Sequence, residues 1–324
     1  MSNNSFVLKD NNIIMNNANL SNKSKKRMQN VLADNTLSAY ESDWRDFYQW
    51  CTYHKVNALG ATEETIVNYI NDLADHAKSN TVSRRLTAIS ENHKAAGYID
   101  DNPVKSNLVK NALQAIKREK GTMQQGKAPI LVEDIIELST LFDTKNIVHC
   151  RDKALILLGF SGAFRRSELV SIQYEDLTFT RDGLIILLKN SKADQLGEGE
   201  YLAIPYAVNE NTCAVIALQK WLNQSGIQHG PIFRPFTKKH EIKNVHLSDK
   251  SVALLVKKYM GLLGFDAKDF SGHSLRRGFA SSAAQHDVDE RTIMQQTRHK
   301  SEKMVRRYIE QGNMFKNNAL RKMF

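Results

Sequence analysis

No strand pattern appears in this chain before about residue 175. From Thr36 onward the apolar positions recur at steps of three and four, never as a sustained two-residue alternation. Leu37, Tyr40, Trp44, Phe47 and Cys51 form one stripe, the spacing of an amphipathic helix with one buried face. Ile66, Ile70 and Leu73 predict a second helix, Val82, Leu86 and Ile89 a third, and Leu108, Ala112 and Ile116 a fourth. Residues 31–117 are therefore expected to form a small bundle of four or five helices. Residues 1–30, rich in Asn, Ser and Lys, lack such periodicity and are expected to be a disordered basic arm. Its run from Lys23 to Arg27 suits phosphate contact or simple solvation equally well.

Residues 118–129 are polar, contain Gly121 and Gly126 and end in Pro129, the composition of an interdomain linker. Beyond it the pattern changes. Residues 131–141 and 152–158 read as helices. Segments 176–180 and 184–188 bracket Arg181-Asp182-Gly183, a hairpin signal, and 201–205 adds a third short strand. Helices resume at 211–222 and 249–263 and continue to Met323. The expected class is mainly α, with a helical N-terminal bundle and, over residues 130–324, an α+β domain holding a small three-stranded antiparallel sheet.

A chain of 324 residues is long enough for two cores. It has no apolar run of the length a membrane helix needs, and its first residues do not resemble a secretory leader. Cys51, Cys150 and Cys213 are widely separated and fit neither a zinc pattern nor a disulfide framework, so a cytoplasmic protein is expected. The net charge of +10 favours a polyanionic partner, most often nucleic acid. The excess is uneven: from Lys268 to the C-terminus there are 12 Lys and Arg against 6 Asp and Glu.

That basic segment also holds a constellation of reactive groups. Ser271-Gly272-His273-Ser274-Leu275-Arg276 is followed by Arg298-His299 and then by Arg306-Arg307-Tyr308. The transition state of phosphoryl transfer spreads negative charge over non-bridging oxygens and is best met by fixed cationic donors. Arginine suits this because its planar fork binds two oxygens and stays charged. Arg165 and Arg276 can clamp opposite sides of one phosphate, and His273 and Arg276, three residues apart, share a helix face. A phenol is mostly neutral at pH 7 and needs nearby cations or a base to attack. Tyr308 follows two arginines, His273 can serve as base, and His299 can donate to a phosphate oxygen. Lys192, with Lys189 as the second candidate, stands in the loop between the second and third strands and can protonate a leaving 5′ oxygen. The scheme needs no metal or other cofactor. Taken singly, each residue has a plain alternative: a surface arginine, a core histidine, or Tyr308 packed beside Val305 and Ile309.

The order Arg165, Lys192, His273-x-x-Arg276, His299, Tyr308 resembles the tyrosine recombinases of the phage integrase family, from about residue 33 to the end. Within it the Cre-type enzymes are the nearest likeness, through Trp50-Cys51, the run from Phe270 to Ser274, Ile293-Met294-Gln295 and the stretch from Asn318 to Met323. The resemblance implies a site-specific recombinase, with the helical core-binding domain and the catalytic domain forming a C-shaped clamp on double-stranded DNA. It implies a 3′-phosphotyrosine intermediate, a Holliday junction, and a homotetramer on a specific, inverted-repeat site. It gives Glu168 a supporting hydrogen-bonding role, and Asn80, Thr81, Arg84 and Lys250 base-contacting positions. The exposed face of the third helix, with Lys78, Asn80, Thr81, Ser83, Arg84 and Arg85, suits a major groove by its own chemistry and suits solvent as well. The chain departs from the pattern where Arg298 replaces the usual Gly before the second His. The doubled Arg165-Arg166 also leaves two candidates for one position. A type IB topoisomerase-like relaxing enzyme and a non-catalytic DNA-binding protein on the same scaffold are the rival functions. A bacterial, phage or plasmid origin fits all three.

Overall fold

The computed structural model describes residues 34–123, 126–189, 199–299, 301–313, 316 and 320–323. The expected arm and Lys192 lie outside the described residues. The chain divides into two compact units, residues 1–125 and 126–324.

The first unit is helical: α1 (Asp34–His54), α2 (Glu63–His76), α3 (Ser79–Ala95) and α4 (Asn107–Lys120). Thr62 caps α2 by accepting from the Thr65 N–H, ahead of Glu63 and Glu64, and Ser106 caps α4 through the Val109 N–H. Trp44, Phe47, Tyr69, Ile70, Val82, Leu86 and Ile89 meet in one core. Trp44 and Phe47 are 5.6 Å apart between ring centroids, and Phe47 and Tyr69 are 4.9 Å apart.

The bundle departs from the expected pattern in three places. The buried stripe of α4 runs through Val109 and Ile116, while Leu108 is exposed. One residue of phase turns the face by about 100°, and the longer Leu loses to the position that points inward. Arg85 leaves the solvent face. It lies beside Asp43 and bonds Asp46 and, at 2.9 Å, the Tyr69 hydroxyl. Helix α4 continues to Lys120, into the stretch expected as linker, because Lys, Arg and Glu extend a helix until Gly121 stops it.

The second unit contains α5 (Val132–Thr140), α6 (Ile147–Ser161), α7 (Arg166–Ser171), β1 (Leu177–Phe179), β2 (Gly183–Leu188), β3 (Glu200–Pro205), α8 (Ala214–Ser225), α9 (Asp249–Leu262), α10 (His273–Gln285), α11 (Glu290–Thr297), α12 (Glu302–Gly312) and α13 (Leu320–Met323). The sheet is antiparallel in the order β1-β2-β3, with Leu184 opposite Phe179 on one side and Ile204 on the other. Helix α6 is buried on every side from Cys150 to Phe160 and runs through the core. Its buried charged groups are partnered: Arg151 bonds Asp152, which accepts from the Tyr259 hydroxyl at 2.8 Å, and Lys153 donates to Asn211 Oδ1 at 2.9 Å. The class is thus mainly α with a small three-stranded antiparallel sheet, as the periodicity implies. Among the described residues no helix is long and apolar enough to cross a membrane.

Helix α10 carries one histidine and two arginines of the basic segment, and a close backbone contact sets its position. A Cβ at Gly278 would lie 1.6 Å from the Ile130 carbonyl oxygen, so only glycine lets the helix sit this close. Ile130 N–H donates to Ser274 O at 3.1 Å across the same contact. A smaller core of Ala280, Ala284, Ile293, Val305 and Tyr308 joins α10, α11 and α12.

Candidate active site

The turn after α6 presents the first arginine. Ala163 adopts a left-handed conformation (φ 44°), reversing the chain so that Arg165 precedes α7. Glu168 accepts from the Arg165 backbone N–H at 2.9 Å and from the Arg165 guanidinium. The carboxylate is buried and anchors the arginine by both its backbone and its side chain. The neighbouring Arg166 instead points toward Asp249 at 3.6 Å, so Arg165 is the member of the pair that enters the cluster.

Helix α10 brings the second arginine. Arg276 is 1% exposed, and its Nη1 donates to Ala163 O at 2.8 Å. Its Nε and Nη2 are buried without a partner. A buried guanidinium leaving two donors open is costly unless a ligand takes them. Burial and the nearby Arg165 and Arg298 charges push its pKa down to about 9, so it remains a cation at neutral pH.

The two imidazoles stand in this positive field. Desolvation by the surrounding protein, then the charges of Arg276, Arg277, Arg165 and Arg166, push His273 down to about 4. The ring still reaches solvent, which tempers the desolvation part; the four guanidinium groups alone favour its neutral form. His299 is pushed down to about 3 by burial and by Arg276, Arg165, His273 and Arg298. Its Nδ1 sits 2.7 Å from Thr297 Oγ1, which itself donates to Ile293 O at 2.7 Å. The Thr297 proton being committed there, Nδ1–H donates to the hydroxyl, and Nε2 is left for a ligand or the phenol.

Tyr308, on α12, is buried at 5% exposure, with its ring 5.9 Å from that of His299. The cation over it is Arg277, whose guanidinium carbon lies 5.5 Å from the ring centroid. Arg306, expected beside the phenol, pairs instead with Glu290 and Glu302 at 3.1 and 3.0 Å, because on a helix its side chain leaves on the face away from Tyr308. The sequence had no signal for Arg277: it is one of two adjacent arginines, and only the packing of α10 on α12 tells them apart.

Arg165, Glu168, Arg276, His273, His299 and Tyr308 therefore converge from four separate segments. Lys189 directly follows β2 and pairs with Asp176 at 2.5 Å. In the first unit Asn80 is exposed and Thr81 partly so. Arg84 is half exposed, its guanidinium 2.7 Å from buried Asp43. Lys250 is exposed in the first turn of α9.

The site is thus a cluster of arginines and histidines around one buried phenol. Residues 132–313 match the model of the phage integrase family. The chain is 63% identical over 320 residues to an integrase/recombinase XerD homolog of Selenomonas ruminantium, covering 98% of this chain and 94% of that protein. It is 25% identical to the tyrosine recombinase XerD of Rickettsia conorii, covering 82% and 85% of the two chains. In fold it is similar to the XerH site-specific recombinase bound to a palindromic difH substrate, with TM-score 0.65 at 16% identity over 99% of this chain and 90% of that one. It is also similar to a lambda integrase dimer bound to a core site, with TM-score 0.57 at 15% identity over 94% and 76%. The chain belongs to the phage integrase family of tyrosine recombinases, enzymes of site-specific DNA recombination.

Proposed function

We propose that Tyr308 is the nucleophile of this recombinase and that it forms a 3′-phosphotyrosine. One observation carries the reading: Arg276 is buried with two donors open, in a cluster that also holds Arg165, two neutral histidines and a buried phenol. A phosphodiester between the arginines takes those donors. The Tyr308 oxygen attacks phosphorus, its proton passes to His273, and the bond from phosphorus to the 5′ oxygen breaks. Lys192 protonates the departing 5′ oxygen while the arginines hold the non-bridging oxygens, and His299 adds a donor at Nε2 when the charge of the phosphate protonates its ring. Glu168 keeps Arg165 in place. The guanidinium groups supply the charge stabilisation, so no metal is required. The phosphotyrosine keeps the energy of the broken bond, so rejoining requires no ATP. Attack by a second strand's 5′-hydroxyl reverses the step and gives a Holliday junction.

Asn80, Thr81, Arg84 and Lys250 are the proposed base and backbone contacts on duplex DNA with a specific, inverted-repeat site, and the exposed polar edge of α3 supports this. Strand exchange between two sites requires four protomers. The catalytic unit has an apolar groove of about 520 Å³ lined in part by Phe160, Ile204, Phe279, Val288 and Ile293. Residues 314–324 include Met314, Phe315, Leu320 and Met323. A neighbour's tail seated in that groove would close a ring by head-to-tail contacts.

The test is a nicked suicide substrate carrying the site. The protein is expected to accumulate a covalent DNA adduct, and Tyr308→Phe to abolish it while leaving binding nearly intact. Adducts persisting in Tyr308→Phe would show that the nucleophile is another residue.

A further inference from the structure

Arg298 stands where the family pattern usually has glycine, and its backbone explains the usual choice. It closes α11 in a left-handed conformation, φ 54° and ψ 45°, with its N–H turned back to Gln295 O and Met294 O. That geometry favours glycine and is strained for an arginine. The side chain is nonetheless buried, at 5% exposure, in a pocket lined by the other half of the site. Its Nη1 donates to Gly162 O at 3.0 Å and to Gln296 O at 2.9 Å. Its Nη2 reaches Ala163 O at 3.3 Å and Glu168 Oε2 at 3.1 Å. The guanidinium stacks 5.1 Å from the centre of the Phe164 ring. Beside it, Gln296 Nε2 donates to Ser161 O at 2.9 Å. Three successive carbonyls of the turn that presents Arg165 thus accept from the segment that presents His299. Ala163 O is shared with Arg276, and Glu168 is shared with Arg165.

We propose that Arg298 is a positioning residue that locks the Arg165–Glu168 turn to the His299 segment, setting the spacing of the phosphate clamp. The inference rests on the tyrosine-recombinase reading of the same site. Burial, the largest single influence, would by itself raise the Glu168 carboxyl; the Arg298 guanidinium, first among the opposing influences, together with the bonds and charge from Arg165 outweighs it and holds the group ionised. A glycine at this position supplies the turn but none of these bonds. This chain therefore holds by side-chain chemistry a junction that glycine-bearing members must hold in other ways. The segment also carries the catalytic candidate His299 in the next position, so a shift of the junction moves a group aimed at the ligand.

The experiment compares Arg298→Gly, Arg298→Lys and the parent on the nicked suicide substrate. It measures the single-turnover rate of adduct formation at saturating protein, the affinity for the site, and the melting temperature. Misplacing a clamp by about 1 Å costs on the order of 100-fold in rate. Arg298→Gly is expected to lose roughly 10–100-fold in cleavage while keeping its affinity and its fold, because glycine suits the turn. Arg298→Lys, with the charge but not the directed fork, is expected to recover part of the rate. An unchanged cleavage rate in Arg298→Gly overturns the proposal. So does loss of folding or site binding in step with the rate, which would make Arg298 a packing residue only. If the parent itself forms no adduct, the chemistry assigned to Tyr308 fails, and this inference with it; a normal parent rate keeps the two failures apart.

Discussion

His273 and His299 share their surroundings with Arg165, Arg276 and further guanidinium groups, and both are held neutral well below the ordinary histidine range. A histidine whose folded pKa is depressed contributes stability that is present above its unfolded value near 6.5 and is lost as pH falls toward about 4 for His273 and about 3 for His299. A phosphodiester seated between the arginines offsets their field, so both histidines bind protons more readily in the complex. DNA binding at about pH 5.5 is therefore expected to take up protons, and affinity to rise as pH falls from about 7 to 5. Calorimetry in buffers of different ionisation enthalpy measures the uptake directly. It should shrink in a variant with both histidines replaced by Asn. No uptake in the parent would mean that the phosphate does not enter this cluster.

Helix α10 carries His273, Arg276 and Arg277, and it takes its place from a single backbone contact. Gly278→Ala puts a methyl against the Ile130 carbonyl, an overpacking that costs roughly 1–3 kcal/mol. In a unit of this size, that lowers Tm by roughly 2–12 °C, measured by thermal unfolding; an unchanged Tm would mean that the two backbones separate at no cost. The elements differ in how far local pattern discloses them. The stripes of α1, α2 and α3 were legible because one strong apolar face dominates each, and the hairpin because Arg181-Asp182-Gly183 separates two short strand-forming runs. The phase of α4 was not, since Leu108 and Val109 are equally apolar and only the neighbouring helices choose between them. Arg85 looked solvated because nothing local links it to Asp46 and Tyr69, which lie on other helices. Arg165, Arg276, His299 and Tyr308 were legible as types in order. Their arrangement depends on the left-handed turns at Ala163, which no local pattern marks, and at Arg298, marked only by the glycine usual at its position, and on Arg277, whose place over Tyr308 is set by α10 packing on α12.

The chain joins two separately packed units. The first is a helical bundle whose third helix offers an exposed polar edge. The second holds every residue of the phenol-centred cluster among those described. In the proposed function address and chemistry are separate, and the proposed chemistry turns on one atom, the Tyr308 hydroxyl oxygen. The most direct measurement is mass spectrometry of the peptide left on DNA after the suicide-substrate reaction and proteolysis, with the polarity of the trapped strand determined in parallel. Attack by Tyr308 predicts a single attachment at that residue through a 3′ phosphate, with a free 5′-hydroxyl on the other side of the break. Attachment at any other residue, or to a 5′ phosphate, would contradict it.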